Sequence, residues 1–195
     1  MKNLAKAATG LTLLFCSAQP AFATPFSYSG PSASDIDTSS PTLIDLTVSN
    51  LETITHLTLS VNISTPYADD VDISLIHGGV EVHVYDGRGD TSNSFIEATF
   101  DDLAALSYPS NGTVSGTFRS SPGLLSAFNG LSLNGLWQLK LQDTVVSNDG
   151  TDLISWSIQG NSSNNVPEPS TILLLSVGLG GLVLRKIKTR TAILG

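Results

Sequence analysis

Apolar and polar residues alternate with period two through the middle of this chain, and that pattern constrains its fold more than any other feature. Leu57, Leu59, Val61 and Ile63 alternate with Thr58, Ser60, Asn62 and Ser64. Val71, Ile73 and Leu75 repeat the pattern, as do Val80, Val82 and Val84, and then Trp137, Leu139 and Leu141. Successive side chains of a strand point to opposite faces, so runs of this kind are strands with one buried face. Turn-forming segments separate them: Tyr67-Ala68-Asp69-Asp70, Asp86-Gly87-Arg88-Gly89-Asp90 and Asn148-Asp149-Gly150. No segment between residues 28 and 160 sustains a helical period. Short strands spaced by turns predict an all-β sandwich or jelly roll, with Trp137 and Trp156 in its core.

Charge narrows the function. Only 13% of the 195 residues are charged, against about 25% in ordinary soluble domains. Ser, Thr, Gly and Asn fill the gap, which suits strands and turns better than surface helices. The net charge of −8 hides an uneven distribution. Between Thr24 and Asn165 only Arg88, Arg119 and Lys140 face sixteen acidic residues, a formal charge of −13. Such a surface repels phosphate backbones, since nucleic-acid affinity rests on Lys and Arg displacing counterions. Nucleic acid is therefore excluded as a partner, whereas divalent cations and basic proteins are compatible with it.

Both ends carry targeting features. Residues 1–23 read as a signal peptide: Lys2 and Lys6 give a positive start, Leu11 to Phe15 lie in a short apolar run, and Ala21-Phe22-Ala23 supplies a small-x-small cleavage site. Signal peptidase would cut between Ala23 and Thr24. The single cysteine, Cys16, lies before that point, so the exported chain would fold without a disulfide. Residues 161–165, Asn161-Ser162-Ser163-Asn164-Asn165, read as a polar linker. Residues 166–190 are tripartite: Val166-Pro167-Glu168-Pro169-Ser170, an uncharged stretch over 171–184, and a basic cluster from Arg185 to Arg190. The apolar stretch would form a helix of about 21 Å, short of the roughly 30 Å hydrocarbon core, and Arg185 and Lys186 would snorkel to extend it. The positive-inside rule puts the basic cluster in the cytoplasm and the acidic body outside.

This tail resembles the PEP-CTERM sorting signal of exopolysaccharide-producing Gram-negative bacteria, with Pro167, Glu168 and Pro169 at the motif positions. The resemblance implies processing by an exosortase. The product is then expected as an exported protein, anchored by its C-terminal transmembrane helix or released to the cell surface or extracellular matrix.

The body carries a second pattern. Ile63 to Leu75, Phe100-Asp101-Asp102, Leu124 to Gly130, Asn134 to Asp143, and Asp149-Gly150 through Trp156 to Ile158 occur in this order. Together they resemble the P domain, or P/Homo B domain, that follows the catalytic domain of subtilisin-like proprotein convertases. Two departures stand out: Pro66 lies one place after a position often held by histidine, and Ile76-His77-Gly78-Gly79 stands where a Ser-Pro-x-Gly turn is usual. The resemblance implies an eight- or nine-stranded jelly-roll β-sandwich of galactose-binding-like type over residues 28–160.

A catalytic apparatus is not expected. Subtilisin-like chemistry needs a serine, a histidine and an aspartate held by a far longer catalytic domain. Of the three histidines, His56 and His83 take polar positions of strands and His77 ends a strand at a turn. With no cysteine in the exported chain, thiol catalysis and cysteine-based zinc sites are excluded. A structural calcium is the one cofactor expected, held by loop carboxylates; Asp70, Asp101 and Asp143 are its candidate ligands, at positions where the resembled family keeps acidic residues. The tripeptide Arg88-Gly89-Asp90 is read as a turn rather than an adhesion signal.

The expectation is thus a non-catalytic binding or scaffolding module of the cell envelope or exopolysaccharide matrix. One alternative is an accessory to a separate subtilisin-like serine endopeptidase. Another is a carbohydrate-binding module, which exposed aromatic rings such as Tyr67, Tyr85 and Tyr108 would favour.

Overall fold

A computed structural model describes residues 23–36, 40–87, 95–108, 114–145 and 150–163. Its strands are β1 (Ala23–Gly30), β2 (Ala33–Ile36), β3 (Thr42–Val48), β4 (Thr53–Ser64), β5 (Val71–His77), β6 (Val80–Asp86), β7 (Phe95–Asp101), β8 (Val114–Phe118), β9 (Gly135–Asp143) and β10 (Thr151–Ser163). They form two sheets. One runs β1-β10-β4-β7-β8, with β2 also beside β10; the other runs β3-β9-β5-β6. All pairings are antiparallel except β7 with β8. The architecture is the expected all-β sandwich, with ten strands among the described residues where eight or nine are expected. Two short 3-10 helices, Ala68–Asp70 and Leu125–Phe128, are its only helical turns among the described residues. No helix there is long and apolar enough to cross a membrane.

Alternation builds the interior. Leu57, Leu59, Val61 and Ile63 of β4 face Ile73 and Leu75 of β5 and Trp137, Leu139 and Leu141 of β9 across the core. Trp156 and Ile158 of β10 join them, so both tryptophans are buried as expected. Each such side chain contributes about 1.5–3 kcal/mol on leaving water. In the same core Tyr85, Phe100, Tyr108 and Phe118 pack ring on ring, with centroids 4.5 Å apart for Tyr85 and Tyr108 and 5.0 Å for Tyr108 and Phe118.

The hairpin between β5 and β6 closes through Gly78 and Gly79, both at positive φ (59° and 80°). Two consecutive left-handed residues suit the right-handed strand twist of a two-residue hairpin. A glycine pair thus supplies by backbone freedom what a Ser-Pro-x-Gly turn would supply elsewhere.

The strands run past the expected limits. Residues 24–27 belong to β1, and residues 161–163, read as linker, continue β10 opposite Ala23, Thr24 and Pro25. Most of the signal peptide, the sorting tail with Pro167, Glu168 and Pro169, the Arg88-Gly89-Asp90 tripeptide and Asp149 lie outside the described residues.

Candidate functional site

The outer face of the β5–β6 hairpin gathers the densest chemistry. Asp72 pairs with Asp86 and Ser74 with His83, and the register shifts between Ile73 and Ser74. The shift is a β-bulge: Val84 and Tyr85 are both buried in succession. In a regular strand residues 83 and 86 point to opposite faces; the extra residue brings His83 and Asp86 to the same one. Ligand atoms of Asp72, His83 and Asp86 then lie within 4.8 Å of one another, the group of this kind among the described residues. His83 Nε2 stands 3.9 Å from Asp72 Oδ1, beyond hydrogen-bond reach, and that buried nitrogen has no hydrogen-bond partner among the described residues.

Burial pushes the Asp72 carboxyl above its usual range. His83 opposes that, the neighbouring Asp86 reinforces it, and the Gly87 N–H and Lys140 pull it back. A cavity of about 350 Å³ opens beside the group, lined by Asp72, Ser74, Glu81, His83, Lys140 and Gln142. Lys140 Nζ donates to Glu81 Oε1 at 2.8 Å, so its charge is already met by a carboxylate.

The candidate calcium ligands sit elsewhere and do not come together as three. Asp70 and Asp143 are neighbours at one end of the four-stranded sheet, where Val71 pairs with Asp143 and the Asp70 carbonyl accepts from Thr144 N and Oγ1. Asp143 Oδ1 also accepts from Val145 N at 3.0 Å. Asp101 ends β7 in the other sheet, opposite Thr58. Its Oδ1 is 3.0 Å from His56 Nε2 and accepts from Leu103 N at 2.9 Å.

His56 shares a cavity of about 470 Å³ with Asp102 and Ser126, and the Ser126 N–H donates to Asp102 Oδ2 at 2.7 Å. His77, buried at the end of β5, places Nδ1 2.9 Å from Leu136 O and Nε2 2.7 Å from Ser132 O, and stacks on Trp137 at 3.9 Å between centroids. It is a packing residue. The aromatic rim considered for sugar binding does not form: Tyr67 is 41% exposed, but Tyr85 and Tyr108 are 1% and 8% exposed. The bulge turns Tyr85 inward, and its hydroxyl donates to Ala68 O at 2.9 Å.

A family model described as the proprotein convertase P-domain matches residues 54–159, from the start of β4 almost to the end of β10. The chain belongs to that family. A second model, the PEP-CTERM protein-sorting motif, matches residues 165–188 and marks an exported protein sorted to the envelope. No curated protein matches the chain. Two solved structures are similar to it: the serine protease of Aeromonas sobria in complex with the chaperone, at 16% identity and a TM-score of 0.44, and the same protease alone, at 16% and 0.43. Each match covers 71% of this chain but only 27% and 28% of the protease chain, so the P-domain chain spans about a quarter of their length.

P domains are the non-catalytic accessories of subtilisin-like proteases, and no catalytic domain is evident in this chain. Two of its sequence elements prove to be one structural device. Asp102, from Phe100-Asp101-Asp102, accepts from Leu125 N at 3.0 Å, from Ser126 N at 2.7 Å and from the Ser120 hydroxyl. It thereby anchors the 3-10 helix of the Leu124–Gly130 element to the end of β7. The sequence marks Asp101 and Asp102 as one acidic element without showing the anchoring role of Asp102, and it gives no sign of the Asp72, His83 and Asp86 group. Only a bulge unites that group, and alternation carries no signal for a bulge.

Proposed function

We propose that this P domain is an exported, non-catalytic binding or scaffolding module of the cell envelope or exopolysaccharide matrix. A P-domain match over 54–159 and a sorting-motif match over 165–188 in one chain carry the reading. Signal peptidase removes residues 1–23 and frees Thr24, which is already a β1 residue, so the sandwich starts at the new terminus. The apolar helix over 171–184 holds the tail in the membrane until an exosortase acts near Pro167, Glu168 and Pro169.

A second reading has the module assist a separate subtilisin-like protease. Family membership favours it, because P domains ordinarily accompany such enzymes.

The test has two parts. In a host that carries an exosortase, the wild-type chain is expected at the surface or in the medium with Thr24 as its first residue, while Glu168→Ala stays in the membrane fraction; equal release of both would sink the sorting step. The exported protein is then used as bait on the secreted fraction, with and without calcium, and captured material is identified by mass spectrometry. Matrix polymer supports the scaffold reading. Recovery of a subtilisin-like protease replaces it with the accessory one, and a calcium requirement for capture would support a structural calcium, whose ligands Asp70→Asn, Asp101→Asn and Asp143→Asn would then identify.

A further inference from the structure

We propose that Asp72, His83 and Asp86 form a zinc-binding site on the outer face of the β5–β6 hairpin. Three observations carry it. The ligand atoms of all three residues lie within 4.8 Å of one another. Two ligands of one tetrahedral zinc, at bond lengths of about 2.0–2.2 Å, are about 3.3–3.6 Å apart. The 3.9 Å between His83 Nε2 and Asp72 Oδ1 therefore closes with a small side-chain rotation. Second, Nε2 is buried with no hydrogen-bond partner among the described residues, and a buried nitrogen without one costs free energy. A cation on its lone pair supplies the partner. Third, the group exists only because the Val84–Tyr85 bulge turns His83 and Asp86 to one face, and bulges recur beside functional sites.

The donor set selects the metal. One imidazole with two carboxylates suits zinc, whereas calcium takes oxygen ligands throughout. Two carboxylates give the site a charge of −2, and the nearby Lys140 is paired with Glu81 rather than with either of them. An ion there also relieves the repulsion between Asp72 and Asp86, which helps to push the Asp72 carboxyl up. Asp86 is exposed, which leaves a water free to complete the coordination. This assignment does not depend on which partner the module binds.

Calorimetric titration of the purified, EDTA-stripped full chain with zinc chloride tests it. One zinc per chain is expected, with a rise in melting temperature of about 5 °C at a hundredfold excess over Kd. His83→Ala should weaken binding by roughly a hundredfold or more, Asp86→Asn should weaken it less, and His56→Gln should leave it unchanged. If His83→Ala fails to fold by circular dichroism, cobalt on the wild-type chain decides instead. Paramagnetic shifts of the His83 ring protons are expected, and their absence refutes the site. No zinc binding at submillimolar concentration, equally tight calcium binding, or zinc affinity unchanged in a folded His83→Ala would each overturn the proposal.

Discussion

Asp102 shows how one side chain can join two distant sequence elements. Burial alone would push its carboxyl up, but the Ser120 hydroxyl and the N–H groups of Ser126 and Leu125 more than offset that and hold it below the usual carboxylate range. Hydrogen bonds to a charged acceptor contribute about 1.5–3 kcal/mol each where water is excluded; Asp102 is only partly buried, so Asp102→Ala is expected to cost about 2 kcal/mol in urea denaturation. The sign with pH follows from the lowered value. The folded carboxyl holds its proton less readily than the unfolded one, so the contribution is complete above the unfolded value and lost as pH falls through the folded one. The stability difference between wild type and Asp102→Asn should therefore shrink steadily below about pH 4, and a difference that grows on acidification would refute the account. Gly30 is a second case at this scale. A Cβ there would lie 2.1 Å from the Trp156 indole, so Gly30→Ala must displace a buried ring and is expected to destabilise by about 1–3 kcal/mol.

Strand pairing is where sequence pattern and structure can be compared most closely. Alternation locates β4, β5 and β9 and puts Leu57, Leu59, Val61, Ile63, Leu139 and Leu141 inside, because residues 57–64 and 137–143 keep strict period two against a single core; β4 breaks the period at Thr55 and His56, and β5 buries Ser74 between Ile73 and Leu75. In β6 the same rule assigns Val80, Val82 and Val84 inward and fails after Val84. The bulge buries Tyr85 as well and reverses every later position, so Asp86 becomes an outer-face residue. A bulge answers to the pairing partner, which a single strand's pattern does not contain. The burial of Tyr108 is illegible for a related reason: it follows β7 in irregular backbone, and long-range contacts with Tyr85, Phe100 and Phe118 bury it. The β5–β6 turn gives a prediction of its own. A Cβ at Gly79 meets nothing within 4 Å, so only its φ of +80° resists substitution. Gly79→Val is expected to cost about 1–2 kcal/mol, whereas Gly79→Asn, a residue tolerant of left-handed backbone, should stay within about 0.5 kcal/mol by the same denaturation measurement.

At the scale of the whole molecule, the first and last strands close the same sheet. β1 lies along β10 in register from Ala23 opposite Ser163 to Gly30 opposite Trp156, and the Ser162 hydroxyl donates to Thr24 O at 3.0 Å. The segments before Ala23 and after Ser163 therefore join the sandwich at one corner, and a chain cut after Ala23 retains all of β1 except its first residue. Phe26 and Tyr28 of β1 stack with ring centroids 6.0 Å apart, and Phe26 is buried in the core. Without β1, the upper half of β10 would present an unpaired edge, the kind of template that promotes aggregation. A chain ending at Ser163 is thus expected to unfold at the same midpoint as one retaining residues 164–195. A chain beginning at Gly30 should lose at least about 3 kcal/mol, since removal of Phe26 alone empties a core position worth that much, and should aggregate on storage. Equal midpoints for the Thr24 and Gly30 forms by thermal denaturation would mean that β1 only decorates the sheet, and that the position of signal cleavage has no bearing on whether the exported module folds.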